Sequence, residues 1–270
     1  TKILKPLLAK LRGQGHQSVA YLDDWYLQGK SYEACVLNIR DTCVLLQKAG
    51  FHINMLKSKM IPRPKIEFLG FELDSAEMTI TLPLNKRQTV VQACETIAHT
   101  SARIPIRVVA RTIGVLVATF PAVPWGPLHF RSLEREKTLA LKKNLGDYDG
   151  LMTLNEGRSY EHLQWWIENI PKKTTACPLA HKCISVRVTS DASFTGWGGS
   201  ATVNGKPETS TAGQWLKEEI KSKNINFLEM KAALYTLKAL CSDCRNTSVA
   251  LRVDNTATVG AIRNMGSRSL

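Results

Sequence analysis

Ser18-Val19-Ala20-Tyr21-Leu22-Asp23-Asp24-Trp25-Tyr26-Leu27 sets two apolar runs on either side of a short acidic turn. Runs rich in aromatic and branched residues read as strands, and Asp suits the turn between them, so the segment predicts a β-hairpin with Asp23 and Asp24 at its tip. Two adjacent carboxylates on so apolar a hairpin are costly to desolvate without a compensating charge, and a divalent cation supplies one. An ordinary turn, acidic only because Asp favours turns, is the other reading.

Outward from the hairpin, residues 1–82 alternate between helix and strand patterns. A helix through Leu11 precedes the hairpin. A second opens at Ser31, carries Val36, Ile39, Cys43 and Leu46 at helical spacing, and closes at Gly50. Phe51 to Asn54 is a short strand candidate, and Ile66–Leu73 with Met78–Leu82 predicts a further hairpin. From Pro83 to Asn169 the pattern is helical over 85–98, 106–120, 128–143 and 155–169, broken by Pro105, Pro121, Pro124, Pro127 and the Gly146–Gly150 loop. Trp165 and Trp166 in the last of these suit either a core or a stacking platform for bases.

Residues 171–183 read as a linker, after which alternation returns in Ile184–Asp191, Gly196–Val203, Glu208–Trp215 and Val249–Asp254, with helices over 226–241 and 256–265. The fold class is therefore α/β (α+β), in three parts: 1–82, 83–170 and 184–270. The last part carries Asp191 at the end of its first strand, Glu229 in the first turn of its helix and Asp254 at the end of its last strand. Such positions can bring three carboxylates into one cluster, which repels itself unless cations bind it. Two Mg²⁺ or Mn²⁺ ions there would serve phosphodiester hydrolysis.

Composition fits that chemistry. Of 270 residues, 44% are apolar and 22% charged, as in folded domains rather than disordered tails. Lys and Arg outnumber Asp and Glu by 36 to 23, a net +13 spread along the chain, which favours a polyanion such as nucleic acid. Seven cysteines without framework spacing suit reduced thiols. Cys241 and Cys244 have the spacing of half a zinc site, but no second pair completes it, and they read as helix-end thiols. With no secretory signal and no membrane-length apolar run, an intracellular protein of cytoplasm or nucleus is expected.

Tyr21-Leu22-Asp23-Asp24 resembles the motif of reverse transcriptases, where a tyrosine, a variable residue and two aspartates form the hairpin tip of the palm. Gly50-Phe51, Ile53-Asn54 and Lys57-Ser58 resemble the segment after that hairpin, and Phe68-Leu69-Gly70-Phe71 resembles the hairpin that grips the primer. Ser190-Asp191-Ala192-Ser193 with Gly196-Trp197-Gly198-Gly199, then Phe227-Leu228-Glu229-Met230-Lys231-Ala232 and Leu251-Arg252-Val253-Asp254-Asn255, are similar to ribonuclease H domains. The phrasing of Ala110-Arg111-Thr112-Ile113-Gly114, Pro121-Ala122-Val123-Pro124 and Leu163-Gln164-Trp165-Trp166 looks most like DIRS-like retrotransposons.

The resemblance implies a partial reverse-transcriptase palm over 1–82, a helical thumb and connection over 83–170, and a ribonuclease H-like mixed sheet with helices over 184–270. Asp23 would be a metal ligand with Asp24 supporting it, both catalytic. Lys57 would face the phosphates of a deoxynucleotide, or be a solvated loop charge. Phe68, Leu69 and Gly70 would hold the primer strand, with ordinary strand core the other reading of Phe68 and Leu69. Asp191, Glu229 and Asp254 would be catalytic metal ligands for cutting RNA in an RNA/DNA hybrid. Single-stranded nucleic acid is a further expected partner. The chain opens without Met inside a helical pattern, and the family's further acidic residues would lie before Thr1 and after Leu270. It is therefore expected to be a C-terminal fragment of a polyprotein, lacking polymerase activity and full nuclease activity. A catalytically inactive nucleic-acid-binding remnant is the alternative.

Overall fold

A computed structural model describes residues 2–100, 103–154, 157–172, 176–179, 183–203, 205–220 and 224–266. It is a mixed α/β protein, as the alternating patterns predict. Its contacts divide the chain into two units, Thr1–Ala93 with Pro121–Val123 and Ile167–Leu179, and Cys94–Phe120 with Pro124–Trp166 and Ala180–Leu270.

In the first unit, α1 (Leu4–Gly13) leads into the antiparallel hairpin of β1 (Gln17–Tyr21) and β2 (Asp24–Gln28), followed by α2 (Tyr32–Lys48). Ser31 caps α2 by accepting the Ala34 N–H at 3.2 Å. The buried stripe of α2 is Asn38, Thr42 and Leu46, whereas Val36, expected on the apolar face, is exposed. The reason is the hairpin. Asn38 donates both amide hydrogens, to the carbonyls of Gln17 and Gln28, each at 2.9 Å. Its Oδ1 accepts from the Ser18 and Thr42 hydroxyls at 3.3 and 3.1 Å. One fully satisfied amide thus ties the open end of the hairpin to the helix.

Phe51–Asn54 forms no strand. Its first residue closes α2 instead: Gly50 takes φ +82° and the Phe51 N–H donates to the Leu46 carbonyl at 2.9 Å, satisfying the helix end. Then β3 (Lys65–Phe68), β4 (Phe71–Asp74) and β5 (Thr79–Thr81) form an antiparallel sheet, joined at its edge by β8 (Cys177–Pro178). Part of the expected linker is therefore a strand; its residues 173–175 and 180–182 lie outside the described residues. The helix α3 (Leu84–Ala98) follows β5.

The second unit contains α4 (Ile106–Val117), α5 (Arg131–Lys143) and α6 (Arg158–Asn169), the last extending beyond Trp166, with the two-residue pair β6 (Ile104–Pro105) and β7 (Leu151–Met152). The α5 helix starts three residues later than its pattern suggests because Pro127 sits in a 3₁₀ turn, Gly126–Leu128. Residues 155–156, expected to open α6, lie outside the described residues. Trp166 is core: it is fully buried and its indole N–H donates to the His129 carbonyl at 2.9 Å. Trp165 stacks on the His129 ring at 3.9 Å.

The same unit holds a four-stranded sheet in the order β11 (Thr209–Gln214), β10 (Gly196–Val203), β9 (Ile184–Ala192), β12 (Ser248–Arg252). The first three are antiparallel neighbours, and β12 runs parallel to β9. The short α7 (Lys217–Ile220) precedes α8 (Ile225–Leu240), which packs across β9, β10 and β11; α9 (Thr256–Arg263) follows β12. Val186, Val188 and Ala201 form one core against Leu237, Leu240 and Leu251, and Trp215, Leu228 and Ala232 form another. Gly199 lets α8 approach the sheet, since a Cβ there would press into the Thr236 side chain and stand 2.7 Å from the Thr189 carbonyl.

Candidate metal centre

Strand direction assembles the carboxylates. Because β12 is parallel to β9, the two strands end on the same edge of the sheet, and Arg252 is registered against Thr189. Two residues further along each chain stand Asp254 and Asp191. Glu229 reaches the same edge from the second turn of α8. It does not lie in the first turn as its sequence suggests, because the helix begins at Ile225. Asp191, Glu229 and Asp254 each offer a carboxylate oxygen, and these oxygens lie within 4.8 Å of one another.

The two aspartates are exposed and Glu229 is buried, at 4% relative exposure. Its Oε2 is buried without a hydrogen-bond partner. Burial raises the Glu229 pKa above its ordinary value, and the neighbouring Asp191 and Asp254 charges raise it further. A buried acceptor left unpaired costs free energy, so this one is suited to a cation. An all-carboxylate donor set is that of hard ions such as Mg²⁺ and Mn²⁺. The residues therefore fit such a group.

The turn beside Asp191 is held firmly. The Ser193 hydroxyl accepts the Thr195 and Gly196 N–H groups at 3.2 and 3.1 Å, and the Trp215 indole N–H donates to the Ser193 carbonyl at 2.7 Å. The Ala192 N–H donates to Asp191 Oδ1 at 2.9 Å.

The other expected site residues lie in the first unit. Tyr21 pairs with Asp24 across a two-residue turn, Leu22-Asp23, in which Leu22 takes φ +54°. Asp23 and Asp24 are both exposed, so the desolvation expected for carboxylates on an apolar hairpin does not arise. Among the described residues no third His, Cys, Asp or Glu joins them in a cluster. Lys57 is exposed in a turn set by Asn54, whose Oδ1 accepts the Lys57 N–H at 3.2 Å. Leu69 and Gly70 form the turn between β3 and β4, both with positive φ, +50° and +73°. Phe68 packs against Tyr26 with ring centroids 5.3 Å apart and planes tilted by 33°, which joins this turn's strand to the acidic hairpin.

Tyr26, Asn38, Ser193, Asn226, Asn255 and Trp215 received no role from sequence. A legible signal existed for Asn255, which stands just before the helical pattern that starts at Thr256, where a capping residue is favoured. The sulfurs of Cys241 and Cys244 belong to no metal-ligating cluster among the described residues, and Cys241 caps the C-terminus of α8. Among the described residues no helix is long and apolar enough to cross a membrane.

No protein-family model matches the sequence, and no curated protein matches it. The fold is similar to solved structures of a foamy viral protease-reverse transcriptase. In complex with double-stranded DNA, one such structure is 13% identical with a TM-score of 0.54, covering 97% of this chain and 51% of that one. A dRH form with double-stranded DNA is 15% identical with a TM-score of 0.52, over 97% and 42%. The complex with an RNA/DNA hybrid is 14% identical with a TM-score of 0.52, over 99% and 34%. The chain thus spans from about a third to a half of the structures it matches. The mixed α/β fold is thus similar to reverse-transcriptase and ribonuclease H-like folds.

Proposed function

We propose that the C-terminal sheet carries a ribonuclease H-type site that hydrolyses the RNA strand of an RNA/DNA hybrid. The observation that carries this reading is the convergence of Asp191, Glu229 and Asp254 within 4.8 Å, one of them buried with an unpaired oxygen. Asp191 and Asp254, exposed on the sheet edge, would face the scissile phosphate side, and Glu229 would anchor the cluster from beneath. When bound there, Mg²⁺ or Mn²⁺ would supply a water of lowered pKa and stabilise the charge of the phosphate undergoing in-line displacement. The chain's own part is to hold three acceptors at fixed spacing and keep Glu229 dry.

The foamy viral neighbours are complexes with double-stranded DNA and with an RNA/DNA hybrid, which supports a duplex as partner for this fold. The net charge of +13 supports the same partner through phosphate contacts. In the first unit, Asp23 with Asp24 would be part of a polymerase metal site, Lys57 would meet nucleotide phosphates, and the Phe68-Leu69-Gly70 turn would hold a primer strand. The parts 1–82, 83–170 and 184–270 would then be palm, thumb with connection, and ribonuclease H, joined by 171–183. A DIRS-like origin rests on sequence phrasing alone.

The test is Mg²⁺-dependent cleavage of a labelled RNA/DNA hybrid by the chain and by Asp191→Asn. Cleavage lost in the variant supports the nuclease. Salt-sensitive hybrid binding with no cleavage in either protein would replace it with a nucleic-acid-binding remnant.

A further inference from the structure

Asp254 poses a problem that the sheet does not solve. The β12 ladder ends at Arg252, so Asp254 stands two residues beyond its last strand partner, exposed and facing two like charges. Repulsion alone would swing it outward.

Three hydrogen bonds oppose that movement. Asn255, the next residue, caps α9: its Oδ1 accepts the Thr258 N–H at 2.9 Å. Its Nδ2 simultaneously donates to Asn226 Oδ1 at 2.8 Å. The buried Thr258 hydroxyl donates to the Asn226 carbonyl at 3.1 Å. Asn226 sits one helical turn before Glu229 on α8, and its own N–H is accepted by Asn224 Oδ1 at 3.0 Å. The first turns of α8 and α9 are thereby clasped together, with one triad carboxylate next to each arm of the clasp.

We propose that Asn255 and Asn226 are positioning residues: their amide-to-amide bond holds Asp254 within reach of Glu229 and so sets the affinity of the centre for its cation. This rests on the metal-site reading given above. A cap alone needs only an acceptor at Asn255. The second arm, from Nδ2 to another helix, adds nothing to α9 itself. It does fix the distance between α9 and the helix that carries Glu229. Partners that orient metal ligands are commonly worth tenfold or more in metal affinity.

Asn255→Ser separates the two roles, because serine caps a helix as well as asparagine but cannot reach Asn226. Mn²⁺ binding to the chain without nucleic acid is measured by titration calorimetry for wild type, Asp191→Asn, Asn255→Ser, Asn226→Ala and the double variant. Helix content is followed by circular dichroism, and melting is recorded in chelator. Loss of Mn²⁺ binding in Asp191→Asn identifies the site. Asn255→Ser is then expected to weaken binding about tenfold with unchanged helix content and melting temperature. Because one bond is shared, Asn226→Ala and the double variant should show the same loss rather than its square. Hybrid cleavage by Asn255→Ser should recover at saturating Mn²⁺. Unchanged affinity in Asn255→Ser, or additive losses in the double variant, overturns the positioning role and leaves the metal site standing. Absence of Mn²⁺ binding in wild type overturns both.

Discussion

Replacing Glu229 by Gln should stabilise the protein in chelator while abolishing its response to magnesium. The carboxylate is buried beside two others within 4.8 Å, and its Oε2 has no hydrogen-bond partner. At that separation each like-charge pair costs about 1 kcal/mol at the dielectric of water and about 3 kcal/mol at an effective value of 20. Asp191 and Asp254 are exposed while Glu229 is buried, so the watery figure is the lower bound for both pairs, and removing one charge should return at least about 2 kcal/mol. That corresponds to roughly 4–8 °C in melting temperature. The assay is thermal unfolding followed by tryptophan emission, to which Trp197 in β10 and Trp215 in the core beneath α8 contribute among the six tryptophans of the chain. At pH 8 in chelator the variant should melt higher. In 10 mM Mg²⁺ the wild type should gain about 1.4 kcal/mol for a dissociation constant of about 1 mM, and the variant nothing. The sign of the pH dependence follows from the raised pKa of Glu229. In the window above 4.5 the folded state binds more protons than the unfolded one, so wild-type stability rises as pH falls toward 4.5. The advantage of the variant should therefore vanish in acid. A variant no more stable than wild type at pH 8, with an equal gain from Mg²⁺, would refute the reasoning.

Asn38→Ala leaves the Gln17 and Gln28 carbonyls without their donors and should cost about 2–4 kcal/mol in urea unfolding. A loss below about 0.5 kcal/mol would show that the clamp is dispensable. Gly199→Ala forces a Cβ onto Thr236 and the Thr189 carbonyl and should cost about 1–3 kcal/mol, with only partial recovery in the double variant carrying Thr236→Ala, because the backbone contact remains. Full recovery would place the clash elsewhere. Glu219 accepts from Lys231 Nζ at 2.8 Å, from the Tyr235 hydroxyl and from the Leu216 N–H at 2.8 Å, which hold its pKa at about 2. Its contribution to stability is present above 4.5 and is lost as pH falls toward about 2, so Glu219→Gln should flatten the acid limb of the stability curve over that interval. An acid limb identical to wild type would count against the network.

What could be read from sequence was local. Apolar runs on either side of an acidic turn gave the hairpin at Tyr21 to Asp24, alternation gave the strand through Asp191, and Ser31 and Gly50 marked the ends of α2. What could not be read depended on distant partners. Asn38 looks like a solvent-facing residue within an apolar stripe until two strand carbonyls occupy its amide. Phe51 has strand character, yet its N–H is taken by the Leu46 carbonyl. Cys177 and Pro178 carry no strand pattern of their own and are ordered by pairing with Thr79 and Ile80. Asn255 is legible as a cap because its acceptor lies three residues away, but its bond to Asn226 spans 29 residues.

The metal centre shows how far pattern alone reaches. Sequence can place Asp191 and Asp254 at the ends of two strands, but it does not fix which way those strands pair. In the antiparallel arrangement Asp254 would stand at the opposite edge, about 16 Å away along a five-residue strand, and no cluster would form. The parallel register of Arg252 against Thr189 decides the matter, and it follows from the crossover through α8 that returns the chain to the β9 edge. That crossover helix carries Glu229, so a single connection both aligns the two aspartates and delivers the third carboxylate. The resulting self-repulsion is then opposed by the apolar packing of Leu228 and Ala232 against Trp215, which anchors α8 on either side of Glu229.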